Sequence, residues 1–438
     1  MRKATESVEI FKTRRENVLK KLGNNALIVA AHPEHIRNHD VGYPYRQDSN
    51  LYYLTGFEEP ESILLMRPGN FPESVLFVRE KNIERETWDG FRFGPELAQQ
   101  EFKVDKCYPI ADFEKVAVDL LKGYEGLYYR LLKNPGFDQK MFSVLESLKS
   151  SQGRTGYGLM SLHDADLFLG EMRLKKSESE ITNLRKACEI TAQGHVAAMK
   201  FVKPGVTERQ VQGVMMNYFY SQNSAREGYN FIVASGNSAT TLHYNFNDQV
   251  CNAGDLLLID AGAEYNYYTG DITRCFPVNG QFTKAQTDVY QGVLNIQKEL
   301  IAGLKPGVLF KDLHEQGASL LTDLMLDLGL LSGRKEDILS ANIHRKYYPH
   351  GIGHWLGMDV HDAGLYYIKG EPRAVEAGMC FTIEPGLYIP GADTQAPKEY
   401  RGIGVRIEDN ILITAQGHEN MTASVPKEIE EIEKLMGR

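Results

Sequence analysis

The chain has 438 residues, 42% of them hydrophobic and 24% charged, which is ample material for a globular core and too much for one small module. Its 49 Lys and Arg stand against 58 Asp and Glu, a net charge of −9 that argues against bulk attraction to nucleic acid or an anionic membrane. Five scattered cysteines without a CxxC pair indicate neither a disulfide framework nor a thiolate zinc site, and neither a signal peptide nor an apolar membrane span is evident, so a cytoplasmic protein is expected.

In chain order, a charged helix is expected over 6–22, followed by a buried-type strand over 26–31. Strands over 62–66 and 74–78 are separated by Pro68-Gly69-Asn70, which is turn chemistry. Strands alternating with helical stretches indicate a mixed α/β first domain. Trp88, one of two tryptophans, lies in polar surroundings over 85–90 without periodic apolar partners and reads as an interface anchor. The Ser-, Gly- and Arg-rich segment 150–156 reads as a linker, and the expected domains are 1–172 and 173–438.

The second domain carries an internal repeat. A helical stretch over 177–200 runs into Lys-Pro-Gly-Val at 203–206, and another over 284–304 runs into the same tetrapeptide at 305–308. Each is followed by a further helical stretch and then by a shared pattern: Ala-Gly, four residues, Ile, an acid, one residue, Gly. It spans 253–262 with Asp260 as the acid and 377–386 with Glu384 as the acid. A duplicated helix–helix–strand unit follows, its halves related by a pseudo-twofold axis that brings the two acids together.

Strand 256–260 is apolar on both faces, so Asp260 should be buried, and a buried carboxylate needs a cation or donors. A hairpin centred on Tyr265-Asn266 would set Asp260 opposite Asp271, roughly 4.5–5.5 Å apart at Cβ. Glu384 arrives from the repeat. In a strand over 404–410 the two-residue period sends Arg406 and Glu408 to one face. His350 and His354 in His-Gly-Ile-Gly-His, His361 and His243 complete the candidates. Two Asp, two Glu and a His form an oxygen-rich set suited to Mn²⁺, Mg²⁺, Co²⁺ or Fe²⁺, and four carboxylates balance two divalent ions. Such a centre activates a bridging hydroxide and polarises a carbonyl, the chemistry of metal-assisted hydrolysis.

The order Asp260, Asp271, His354, Glu384, Glu408, in the contexts IDAG, GDITR, HGIGHWLG, IEPG and RIED, resembles the pita-bread metallopeptidases of family M24. YRQDSN at 45–50, LTGF at 54–57 and YRGIG at 400–404 are similar to the aminopeptidase P branch in particular. The resemblance implies a creatinase-type α/β N-terminal domain and a pseudo-twofold α/β catalytic domain. It implies an Xaa-Pro aminopeptidase that opens the N-terminal bond by attack of a hydroxide bridging two metal ions, with manganese the expected ion and peptides with proline second as substrates. It assigns Asp260 to one ion, His354 and Glu384 to the other, and Asp271 and Glu408 to both. Glu384 would also shuttle the proton. His243 and His361 would stabilise the tetrahedral intermediate, His350 and Arg406 would line the site near the proline, and Arg373 would meet the substrate carboxylate. A homotetramer or homodimer is implied, with Trp88 reaching a neighbouring subunit's site. The chain departs from the usual HGLSH at 350–354, and Cys380 replaces an aliphatic residue. Prolidase shares all five ligands and is separated by its restriction to dipeptides. Inactive pita-bread binding modules typically lose ligands that this chain keeps, and methionine aminopeptidase in its minimal form lacks the N-terminal domain.

Overall fold

A computed structural model of the chain describes residues 6–156, 158 and 161–437. It divides into two compact units, Met1–Leu169 and Gly170–Arg438. Among the described residues no helix is long and apolar enough to cross a membrane.

The first unit is built on a six-stranded mixed sheet in the order Lys106–Pro109, Ser74–Val78, Ile63–Met66, Asn25–Ala30, Gly126–Tyr128, Ser161–His163. The strands over 63–66 and 74–78 are buried on both faces, which is why they read as unbroken apolar runs. The first helix, Val8–Leu22, starts at Ser7, whose hydroxyl accepts the Glu9 N–H. The segment over 150–156 is not a linker. It is the last turn of a 21-residue helix, Pro135–Thr155, closed by Gly156 in the left-handed region with its N–H on Gln152 O. Within this helix the Ser147 hydroxyl donates to Ser143 O and that of Ser150 to Ser147 O.

The second unit carries the duplication openly. Helices Glu178–Phe201 and Lys284–Ala302 both begin with a capping box, Ser177 with Glu180 and Thr283 with Gln286. Each ends in Lys-Pro-Gly-Val, whose glycines take φ of 91° and 94°, a conformation that favours glycine. The turns dock alike: Gly205 and Val206 exchange backbone hydrogen bonds with Cys251, and Gly307 and Val308 with Val375. Helices Glu208–Ser221 and Phe310–Asp327 follow, then strands Leu256–Ala261 and Cys380–Ile383. Strand Leu256–Ala261 pairs antiparallel with Ile272–Pro277, and Cys380–Ile383 with Asp409–Ile413, over one continuous apolar core.

Candidate active site

The hairpin that carries the two aspartates turns one residue later than its sequence suggested. Asn266 and Tyr267 both take positive φ, 50° and 71°, the requirement of a two-residue turn that follows the strand twist. Tyr265 therefore pairs with Tyr268, and Asp260 faces Thr273, not Asp271. The two carboxylates still meet, because the Tyr229 hydroxyl lies 2.7 Å from Asp260 Oδ1 and also contacts Asp271 Oδ1.

The second hairpin is interrupted where its acids stand. Ile383 pairs with Asp409 on one side of the gap and Gly386 with Arg406 on the other, so one register carried through the gap sets Glu384 opposite Glu408. Their N–H groups leave the ladder: Glu384 donates to Ile352 O at 2.9 Å and Glu408 to Thr273 O at 3.1 Å, while Pro385 has no N–H to pair. The expected continuous strand over 404–410 is thus two strands, Ile403–Arg406 and Asp409–Ile413, with Glu408 at the break. Arg406 and Glu408 nonetheless line the same cavity.

That cavity, about 590 Å³, is lined by Asp260, Asp271, His354, Glu384 and Glu408 together with His243, His350, His361 and Arg406. Asp271, His354 and Glu408 offer donor atoms that all lie within 4.8 Å of one another. His354 Nδ1 faces Trp355 O at 3.1 Å, which leaves Nε2 toward Asp271 Oδ2 at 3.3 Å and Glu384 Oε1 at 3.4 Å. Gly353 permits this placement. A Cβ there would stand 1.9 Å from Thr382 O, beside the backbone bond from Thr382 N to His354 O. The departure from HGLSH at residue 353 therefore sits in a tight contact next to a candidate ligand.

Crowded carboxylates resist ionising together. Burial, opposed by His354 and Arg406, raises Glu384 to about 7, and burial with Asp271 and Glu384 drives Glu408 well above the usual carboxylate range. Burial also raises Asp271. Burial disfavours the charge on His354, but the hydrogen bond to Asp271 and the field of Glu384 outweigh it and hold the ring up to about 9. Arg406 is the cation set against the acids: it donates to Asp260 Oδ2 at 2.6 Å, Tyr388 hydroxyl at 2.9 Å and Thr273 Oγ1 at 3.1 Å. His350 is pushed down to about 3 by burial and by Arg406, and its Nε2 is 2.8 Å from the Tyr388 hydroxyl. His361, whose ring lies 4.2 Å from that of His354, is lowered by burial, His354 and His243.

Two expectations fare differently. Arg373 is neither a solvated loop residue nor part of the cavity lining. It is 6% exposed, and its guanidinium is committed to Glu171 Oε2 at 2.5 Å. The loop position suggested access, but backbone bonds from Phe310 N to Arg373 O and from Arg373 N to Tyr366 O draw it into the fold. Trp88, on helix Ile83–Asp89, is 85% exposed and so does not cover its own domain's apolar surface.

Several supporting residues went unread in the sequence. Tyr229 sits in no motif, and only the fold brings it between two acids. Thr273 Oγ1 donates to Glu408 Oε2 at 2.7 Å, and Thr382 Oγ1 to Glu384 Oε1 at 3.1 Å. Arg274 and Asp409 form a fully buried pair at 2.6 Å, and Arg274 also donates to Glu408 O at 2.7 Å. One arginine and one aspartate in two otherwise uncharged strands were the available signal for that pair.

Residues 182–415 match the model of metallopeptidase family M24, and residues 11–128 match the aminopeptidase P N-terminal domain. The chain is 40% identical to the Xaa-Pro aminopeptidase of Haemophilus influenzae, covering 98% of this chain and 97% of the relative, and 40% identical to that of Escherichia coli over 97% of each. Among solved structures, an aminopeptidase of Pseudomonas aeruginosa superposes with a TM-score of 0.95 at 38% identity, covering 99% of this chain and 98% of the other. Zinc-substituted E. coli aminopeptidase P in complex with product superposes at 0.93 and 39% identity, covering 98% of each chain. The architecture is thus an aminopeptidase P N-terminal domain followed by a pita-bread catalytic domain. With the family model spanning more than half of its length and relatives matching it nearly end to end, the chain belongs to metallopeptidase family M24.

Proposed function

We propose that this protein is an Xaa-Pro aminopeptidase, hydrolysing the N-terminal bond of peptides whose second residue is proline. The observation that carries the reading is the convergence of four carboxylates and His354 on one cavity beside three further histidines and Arg406. The donor set fits divalent metal. Four acids crowd around Arg406 and His354, and burial, reinforced by repulsion between the acids, raises three of them, a cost that divalent cations would relieve. Asp260, Asp271, His354, Glu384 and Glu408 would hold two divalent ions, with manganese as the proposed metal. Bound ions would supply Lewis acidity and lower the pKa of water.

The chain's own groups account for the rest. Glu384 takes a proton at Oε from the attacking water and returns it to the leaving proline nitrogen, a general acid–base role worth about 10²–10⁴ in rate. His361, kept neutral by burial and its neighbours, and His243 donate hydrogen bonds to the substrate carbonyl oxygen as charge develops on it. His350 and Arg406 shape the proline side of the cavity, Arg406 held by Asp260 and Tyr388. An Xaa-Pro bond is a tertiary amide without an N–H, so a site that grips through that donor cannot use it. The boundary between the N-terminal and catalytic domains is proposed at residues 172 and 173. Five buried free cysteines support a cytoplasmic setting, and the exposed Trp88 supports assembly as a homotetramer or homodimer.

The test is a length series on the purified, metal-loaded protein. Release of the first residue from an Xaa-Pro-Xaa tripeptide is expected, and activity confined to Xaa-Pro dipeptides would make it a prolidase instead. Glu408→Ala should abolish turnover and lower the metal content, and full activity in that variant refutes the two-ion site.

A further inference from the structure

Residues 356–366 contain no helix or strand, yet they bring Val360 and His361 into the cavity lining. Such a stretch needs an anchor, and the structure supplies one immediately beside His361. The Asp362 side chain is 1% exposed, and its two oxygens are taken by two buried cations. Arg173 Nη2 lies 2.5 Å from Asp362 Oδ1 and 2.8 Å from Asp359 Oδ2, while Lys176 Nζ lies 3.0 Å from Asp362 Oδ2. The Arg173 side chain is 3% exposed and that of Lys176 0%. Asp362 N donates to Trp355 O at 2.9 Å, tying the same residue back toward His354. Gly357 leaves the room required, since a Cβ there would stand 2.1 Å from Asp362 Oδ2.

Two cations and two carboxylates give this cage no net charge. Asp359 is 40% exposed, and burying the other three charges contributes less to stability than apolar residues of similar volume commonly would. What the arrangement provides is direction: charge-assisted bonds on both oxygens of Asp362 leave the neighbouring residue little freedom to turn. We propose that Arg173 and Lys176 are positioning residues for His361, holding its imidazole over the carboxylate cluster through Asp362. The proposal rests on the reading of His361 as a substrate-contacting residue given above.

The experiment is a double-mutant cycle on metal-loaded protein with an Xaa-Pro-Xaa tripeptide. Asp362→Asn, Lys176→Met and His361→Ala are assayed singly, and each cage variant is also combined with His361→Ala. Metal content and the denaturant midpoint are measured alongside. Each cage variant is expected to lower kcat by about tenfold to a hundredfold, with little change in KM and full metal content. In the His361→Ala background the same substitution should add less than about twofold, because the group it positions is gone. Should Asp362→Asn not fold, Lys176→Met, which keeps the Arg173–Asp362 pair, carries the cycle alone. If His361→Ala costs activity and the cage variants multiply with it in full, the proposal is overturned while the reading of His361 stands. If His361→Ala leaves kcat intact, both fall.

Discussion

Replacing Asp409 with Asn tests whether the site is held from behind. The Asp409 carboxylate is 0% exposed and accepts from Arg274 Nη2 at 2.6 Å, Lys427 Nζ at 2.5 Å, Thr422 Oγ1 at 2.9 Å, Asn420 Nδ2 at 3.0 Å and Gln297 Nε2 at 3.2 Å. An amide would point its own donors at some of these donors and leave Arg274, itself 0% exposed, without its counter-charge. Breaking one partner of a buried pair costs about 3–5 kcal/mol, and this pair has no solvent to fall back on. Burial works against the Asp409 charge, but Arg274 and Lys427 outweigh it and hold the carboxyl far below its ordinary range. A depressed folded value means that the stabilisation is complete above the unfolded pKa of about 3.9 and is lost as pH falls through the folded value. Denaturant midpoints of wild type and Asp409→Asn should therefore differ by a constant amount from pH 5 to 8 and converge only in acid. Because Arg274 also holds Glu408 O, the variant should bind metal more weakly as well. A loss below about 1 kcal/mol, or a difference that varies between pH 5 and 8, would refute this account.

Tyr229→Phe removes the hydroxyl shared by Asp260 and Asp271, and isothermal titration should find metal affinity reduced about 10- to 100-fold with the fold intact. Metal must displace the proton that Asp271 and Glu384 hold on His354 up to about 9, so affinity should climb with pH through 7 and 8 and level off above about 9. An affinity flat over that interval would refute this account. Gly353→Ala drives a Cβ into Thr382 O and should lower the unfolding midpoint by the equivalent of about 1–3 kcal/mol or more, together with metal content. Arg373→Ala should affect short and long peptides alike, since the guanidinium is committed to Glu171, and a loss confined to short peptides would return Arg373 to the substrate.

The five candidate ligands were legible because of where they stand. Asp260 and Glu384 occupy matching places in a duplicated pattern, and Glu408 stands two residues after Arg406, on the same face by the strand period. The helices were legible because each runs into the same Lys-Pro-Gly-Val turn, and the capping boxes at Ser177 and Thr283 are found only in the fold. The hairpin register was missed by one step because turn position depends on which residues accept positive φ, and Asn266 shares that burden with Tyr267, an unusual residue for it. Arg373 lies outside the cavity lining because Glu171 and Tyr366 draw its loop into the fold, which composition does not reveal. Tyr229 was invisible for a related reason. Its importance comes from two partners 31 and 42 residues away, and no local pattern encodes such a meeting.

The duplication has a consequence for how such a site can change. In a dimer of identical small subunits, an acid late in the strand would have to be the same residue twice, and any substitution would strike both copies at once. Here the two copies share one chain, and the matching positions already differ, Asp260 in one and Glu384 in the other, with Tyr229 beside the first and Thr382 beside the second. Covalent linkage has released the pair from symmetry, so each half can specialise while the other keeps the fold in place.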